Sequence, residues 1–359
     1  MIPPVRPSLT GDALEGVLNE LSEVLSSGIL TGGPRVRELE KKLSEYIGRE
    51  CLALSSGTLA LEAVLSTMPK GKVILQANTY IAAFNAVIRS GHRPVLVDID
   101  EYLGPDPKGV SEALAKDVSA VIVTHVGGIV SPGVREIMED CEDLGVAVVE
   151  DFSHALGSSL GGRMAGSLGH AGAASLYATK VLTSAEGGVA CGPDEVLERV
   201  RLFRDNGRDP ENPLLSRSVG TSARMDELRA VLALHNLSRL EWEISIREKI
   251  AQFYTRKLRE LGLEVQPIPE GLRNNWYKFI FFHDDPRGLR RRMAERGVRL
   301  PSGVYEYPLH LQPPVRELLG DMRFPKTEEF ARSHACLPIY SSLWPGGAAR
   351  VIEALEEAL

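Results

Sequence analysis

Short apolar runs alternate with longer segments of helical period along the first two thirds of the chain. The runs CLALS (51–55), KVILQ (72–76), RPVLVDI (93–99), AVIVTHV (120–126) and VAVVED (146–151) read as strands, with helix-length segments between them. Stretches near 11–27 and 35–47 read as helices that precede the first strand. This alternation predicts an α/β fold, a mostly parallel central sheet sandwiched by helices, with ligand sites at the carboxyl ends of its strands. From about 223 to 263 a charge-rich amphipathic stretch ends at a glycine, which predicts a long linking helix. It would join a large domain (1–235) to a smaller C-terminal α+β domain (236–359) that contains the strand-like YKFIFFH (277–283).

Composition changes this picture in few places. A chain of 359 residues exceeds the usual single domain, in keeping with two. A net charge of -7 provides no broad positive field, so nucleic acid and anionic membrane surfaces are not expected partners. No run approaches the roughly 20 apolar residues that span a bilayer, and the N-terminus lacks an apolar core behind a basic start; a cytoplasmic setting is expected. Cys51, Cys141, Cys191 and Cys336 lie far apart with no C-x-x-C pair, which predicts reduced thiols in place of a disulfide framework or zinc site. The cluster RGLRRRMAERGVR (287–299) holds six arginines. With Asp285 as N-cap and Pro286 opening the helix, it reads as a solvated face over inward Leu289, Met293 and Val298, in preference to an anion site.

Residues with chemistry collect at strand ends: Ser55 to Thr58, Thr79, Tyr80, His125, Glu150 and Asp151. SSGTLALEAVL (55–65) opens a helix, whose free N–H groups and positive dipole end suit a phosphate, though Ser-Gly-Thr reads equally as an ordinary N-cap. Asp151 ends an apolar strand, where a charge calls for a cation or strong donor; an N-cap role is the alternative. His154 by itself reads as structural, and Tyr80 either as core or as a ring laid against a planar ligand. Lys180, in SLYATKVLTSAEGGVA (175–190), looks by itself like a solvated loop residue. Together these parts are what a pyridoxal phosphate site needs: an amine, a carboxylate for the pyridine nitrogen, a phosphate cradle and a covering ring.

The segments SGTLALEAVL, ANTYIAAFNAV, RPVLVDID, THVGG, VVEDFSHALGSSLGGRMAGSLG, SLYATKVLTSAEGGVA, ARMDELRAVLALHNL, YEYPLH and LPIY agree in order and spacing with one family. Over nearly its full length the chain resembles the DegT/DnrJ/EryC1/StrS sugar aminotransferases, a branch of the fold-type I pyridoxal 5'-phosphate enzymes. The resemblance implies that Lys180 bonds covalently to the cofactor and shuttles the reacting proton. It implies that Asp151 pairs with the pyridine nitrogen, that His154 replaces a Gln beside the phenolic oxygen, and that Tyr80 stacks on the ring. Ser56, Gly57, Thr58 and Ser175 fall at the phosphate positions, and Tyr307 and His310 in YEYPLH fall near the substrate. Ser222 stands where the family often has an Asn that reaches the phosphate of a partner subunit in a homodimer.

The implied reaction moves an amino group from an amino acid, glutamate or glutamine, to a keto sugar nucleotide or keto-cyclitol, as in polysaccharide biosynthesis. The loops 27–34 and 206–222 would set the choice of acceptor. The alternatives are a dehydratase or deoxygenase on a keto-deoxy sugar, against which Lys180 argues because some such members carry His there, and a non-catalytic sensor or regulator.

Overall fold

The computed structural model describes residues 1–6 and 12–359; position 11, the first of the expected leading helix, lies outside the described residues. In chain order the strands are β1 (Cys51–Leu54), β2 (Lys72–Gln76), β3 (Arg93–Val97), β4 (Val118–Thr124), β5 (Ala147–Asp151), β6 (Ser159–Leu160), β7 (Arg163–Met164), β8 (Ala171–Ser175), β9 (Gly188–Cys191), β10 (Leu272–Arg273), β11 (Phe279–Phe282) and β12 (His334–Leu337). Seven of them form the central sheet in the order β1-β9-β8-β5-β4-β2-β3. The inner pairs β3–β2, β2–β4, β4–β5 and β5–β8 are parallel, and β9 runs antiparallel to both β8 and β1.

The apolar runs are continuous because both faces of this sheet are covered. Successive side chains of a strand point to opposite faces. Accordingly, Ile74, Val121, Val123 and Val148 enter one apolar core, while Val73, Leu75, Ala120, Ile122 and Val149 enter the other. The helices α1 (Asp12–Ser27), α2 (Pro34–Ile47), α3 (Gly57–Ser66), α4 (Ile81–Arg89), α5 (Pro107–Ala113), α6 (Val134–Glu142) and α7 (Asp194–Arg204) lie in the first two thirds of the chain. Of these, α2 and α6 supply the first core, and α3, α4 and α7 the second.

The expected single linking helix is two helices, α8 (Glu227–Ser238) and α9 (Leu240–Glu260), which meet at Arg239 (φ -106°, ψ 0°). Residues 223–226 precede α8, because Asp226 caps it by accepting from Arg229 N at 2.9 Å and Arg224 bridges to Leu54. Amphipathic periodicity continues across the junction, so sequence alone does not reveal the break. Helix α9 runs into a separate core with the antiparallel pair β11–β12 and the last helix. Of the remaining helices, α10 (Pro286–Glu295) and α13 (Gly346–Glu356) enter that core, whereas Val315 of α11 (Pro313–Leu319) joins the sheet core of α3 and α4, and Phe330 of α12 (Pro325–Ser333) joins a smaller cluster with Ile99 and Ile280. Among the described residues no helix is long and apolar enough to cross a membrane.

The cysteine expectation is corrected. Cys51 and Cys191 face each other across the antiparallel β1–β9 ladder with Cα atoms 4.2 Å apart, and they form a disulfide. The 140 residues between them hide a pairing that only the strand register creates. Cys141 and Cys336 are buried free thiols.

One buried carboxylate fixes the loop ahead of α2. Glu227 is 1% exposed and accepts from Gly33 N (2.9 Å), Arg35 N (2.8 Å) and Val36 N (3.1 Å), so its charge meets the positive end of α2. A Cβ on Gly33 would lie 2.6 Å from the Glu227 Oε2, which explains the glycine. Glu227→Ala is expected to leave three amides without partners and to cost about 3 kcal/mol, read as a lowered urea midpoint; an unchanged midpoint contradicts this role.

Candidate active site

The carboxyl ends of β4 and β5 and the starts of α3 and α4 open on one cavity of about 860 Å³, within the range of small-molecule sites. Ser56, Gly57, Thr58 and Ser175 line one side of it. Tyr80, Asp151, His154 and Lys180 line the rest, with Tyr307 exposed at the mouth. Two other candidates lie off this wall. His310 is 1% exposed beneath a turn pinned by Leu309 N to Ala77 O (2.9 Å), with its ring edge-on to Phe324 and its Nε2 3.4 Å from Glu328. Ser222 sits in a bridge to Asp205, with Arg224 donating to both residues.

The phosphate-type side is built by close backbone approach. Ser56 caps α3, its Oγ accepting from Leu59 N at 3.2 Å. Gly57 and Thr58 belong to the first turn, whose N–H groups have no partner within a helix. A Cβ on Gly57 would lie 2.6 Å from Ser175 Cβ, and one on Gly188 2.2 Å from Ser56 O. Glycine at both places lets β8 and β9 press against the start of α3; the Ser175 hydroxyl itself accepts from Tyr177 N at 3.2 Å. Ser175 is held in turn, its N–H donating to Ser153 Oγ at 3.0 Å.

On the opposite side the Asp151 carboxylate accepts from Ser153 N at 3.1 Å. The Lys180 ammonium lies 4.9 Å from the centre of the Tyr277 ring. Burial, opposed by Asp151 and reinforced by the Lys278 charge, lowers it to about 8. A larger fraction of this amine is therefore free base near neutral pH than for an ordinary lysine. His154 accepts from Gly127 N on Nδ1 (3.3 Å), so in its neutral form the ring proton sits on Nε2, 3.3 Å from the Tyr305 hydroxyl. Burial first, then the charges of Lys180 and Lys278, hold the imidazole well below its ordinary range and hence neutral.

Among the residues of the wall that escaped sequence reasoning are Tyr277, Lys278, Arg290 and Tyr305. Tyr305 lies in the same YEY motif as Tyr307 but on its inward side, its ring 6.1 Å from that of Tyr80 and its N–H donating to Asn78 Oδ1 at 2.9 Å. Lys278 carried the signal used for Asp151, a charge against a buried strand, here YKFIFF. Arg290 corrects the reading of the basic cluster. Leu289, Met293 and Val298 are fully buried as expected, but Arg290 reaches the cavity wall and bonds both oxygens of Glu306, at 3.1 Å for the longer contact.

These groups fit the cofactor that the resemblance implies. The glycine-tight helix start offers amides to a phosphate, the amine is lowered toward neutral pH, and a carboxylate and an aromatic ring share the same space. Residues 13–356 match the model of the DegT/DnrJ/EryC1/StrS aminotransferase family. The spore coat polysaccharide biosynthesis protein SpsC of Bacillus subtilis (strain 168) is 30% identical over 364 residues, 95% of this chain and 93% of that protein. The crystal structure of the aminotransferase TlmJ from Streptoalloteichus hindustanus superposes with a TM-score of 0.90 at 29% identity, covering 100% of this chain and 98% of that one. That of S. venezuelae DesV in complex with ketimine intermediate gives 0.91 at 28% identity, covering 99% and 98%.

Proposed function

The chain belongs to the DegT/DnrJ/EryC1/StrS aminotransferase family and is a pyridoxal-phosphate-dependent aminotransferase, and on that premise we propose that it moves the amino group of glutamate or glutamine to the ketone of a sugar nucleotide or cyclitol. One observation carries the reading: the Lys180 amine, lowered to about 8, shares a single cavity with Asp151, Tyr80 and the open start of α3.

In this reading the Gly57 and Thr58 amides, with the Ser56 and Ser175 hydroxyls, hold the phosphate. Asp151 keeps a proton on the pyridine nitrogen, Tyr80 covers one ring face, and His154 faces the phenolic oxygen as a neutral donor. When bound, pyridoxal phosphate supplies an electron sink for the carbanion formed at the substrate carbon. Lys180 acts first as the covalent anchor and then, once displaced, as the base that takes the proton from the donor's α-carbon and returns one during transfer to the ketone. Tyr307 lies at the mouth where substrate enters. The buried position of His310 supports a role in holding that loop, with no contact to substrate.

The proposal includes a homodimer in which Ser222, off its own cavity wall, reaches the partner's phosphate. It also includes a division into a large and a small domain, for which the separate core over 250–358 speaks; the expected boundary at 235/236 falls within α8, and Leu240 and Ile244 beyond it still pack in the first core. The test is to load the protein with pyridoxamine phosphate and add keto sugar nucleotides and keto-cyclitols in turn. At least one is expected to restore the absorbance of the lysine-bound cofactor and yield its amino derivative. Recovery of a deoxygenated sugar with free ammonia would instead identify a dehydratase.

A further inference from the structure

Lys278 is a cation without a partner in a place where one is needed. It is 9% exposed, lies on the cavity wall, and donates to a single acceptor, Ser302 O at 3.1 Å. Among the described residues it makes no salt bridge. A lysine buried this far is normally paired, because an unpaired charge loses its hydration without compensation. None of the carboxylates around the cavity bonds it, although the charge of Glu306 opposes the effect of its burial. Glu306 is held by Arg290 through both oxygens, and Glu186 stands exposed at the rim. Asp151 is the one left, and the reading above gives it to the cofactor ring. Besides Arg290, which Glu306 pairs, the wall therefore presents two basic groups without a salt bridge, Lys180 and Lys278, whose nitrogens lie 4.9 and 5.4 Å from the centre of the same Tyr277 ring.

We propose that Lys278 binds the α-carboxylate of the amino donor. This rests on the aminotransferase reading. The donor's amino group must reach the position that Lys180 serves, and its α-carboxylate hangs from the same carbon, so it arrives within a few bond lengths of that amine. The free cation sharing the Tyr277 ring is there to receive it, and the pair then gains a charge-assisted hydrogen bond in a site of low dielectric. The keto acceptor has no carboxylate at its reacting carbon, so a point charge on a flexible stem suits a site that holds donor and acceptor in turn.

The holoenzymes of wild type, Lys278→Met and Lys278→Arg are to be mixed with L-glutamate, L-glutamine or benzylamine, following the cofactor absorbance. The methionine variant is expected to raise the half-saturating concentration of both amino acids by about 10- to 100-fold, with the maximal rate within about threefold. Loss of the Lys278 charge also acts on Lys180 and His154 and so touches every amine alike; benzylamine, which lacks a carboxylate, is expected to report that shared effect alone and to lose far less than the amino acids, and arginine to recover part of the loss. Succinate, an unreactive dicarboxylate, is expected to bind the methionine variant more weakly by a similar factor. The proposal is overturned by unchanged half-saturation for both amino acids, by an equal rise for benzylamine, or by a rise confined to the keto acceptor. A wild type that reacts with no amino acid defeats the donor reading, and succinate binding then still decides whether Lys278 takes a carboxylate.

Discussion

Lys180→Ala is expected to lower amino-group transfer by about 10⁴-fold or more and to leave the fold intact. The two effects separate because the side chain has chemistry to do and little structure to hold. Among the described residues its Nζ makes no hydrogen bond or ion pair, and its ring contact is the one with Tyr277 at 4.9 Å. Its ammonium is lowered from 10.5 to about 8, so between those values the unfolded chain binds more protons than the folded one and stability rises with pH. Below about pH 8 the folded protein therefore carries an unfavourable buried charge that alanine removes. The cofactor-free variant is expected to melt at or above the wild-type temperature near pH 7, while borohydride fixes no pyridoxal phosphate to the chain. In the wild type, capture of pyridoxal phosphate should climb as pH passes about 8. Full turnover in the variant, or a melting point several degrees lower, would contradict this account.

The legible and illegible parts of the molecule divide along physical lines. Strand positions in the central sheet were readable because burial on both faces leaves continuous apolar runs, and β2 agrees with KVILQ residue for residue. The AVIVTHV strand stops at Thr124, since Gly127 and Gly128 turn the chain with φ of +70° and +102°. The gathering of Ser56, Tyr80, Asp151 and Lys180 followed from one rule about strand ends, which holds whatever the loop shapes. Side-chain direction within a loop has no such rule. In YEYPLH the inward residue is Tyr305, the exposed one Tyr307, and His310 is folded beneath them. The Cys51–Cys191 bond and the Arg290–Glu306 pair depend on register and packing between distant segments, to which local pattern is blind.

The same strand geometry separates the two carboxylates of VVED, and it makes Glu150→Ala the most destabilising change expected. Neighbours on β5 point to opposite faces, so Asp151 meets the cavity while Glu150 is 0% exposed on the other side. There it accepts from Gly166 N (2.8 Å), Leu168 N (2.7 Å) and Gly169 N (2.7 Å), tying the excursion through β6 and β7 back to β5. His125 accepts from Ser131 N on Nδ1 and so presents its Nε2–H to Glu150 at 2.9 Å. Burial works to raise the Glu150 carboxyl. His125 and the Gly169 and Gly166 amides outweigh it and hold the group below the usual 4.5. A carboxyl lowered on folding stabilises the protein at pH above its unfolded value, and that contribution is lost as pH falls below about 4.5 through the folded value. Alanine leaves four buried donors unpaired, a loss of about 3–5 kcal/mol, readable in urea unfolding at pH 7. As pH falls below about 4.5 the gap between variant and wild type should narrow, because protonation removes from the wild type what the substitution has already removed. Equal midpoints at pH 7, or a gap that widens in acid, would show that the carboxylate does not anchor β5.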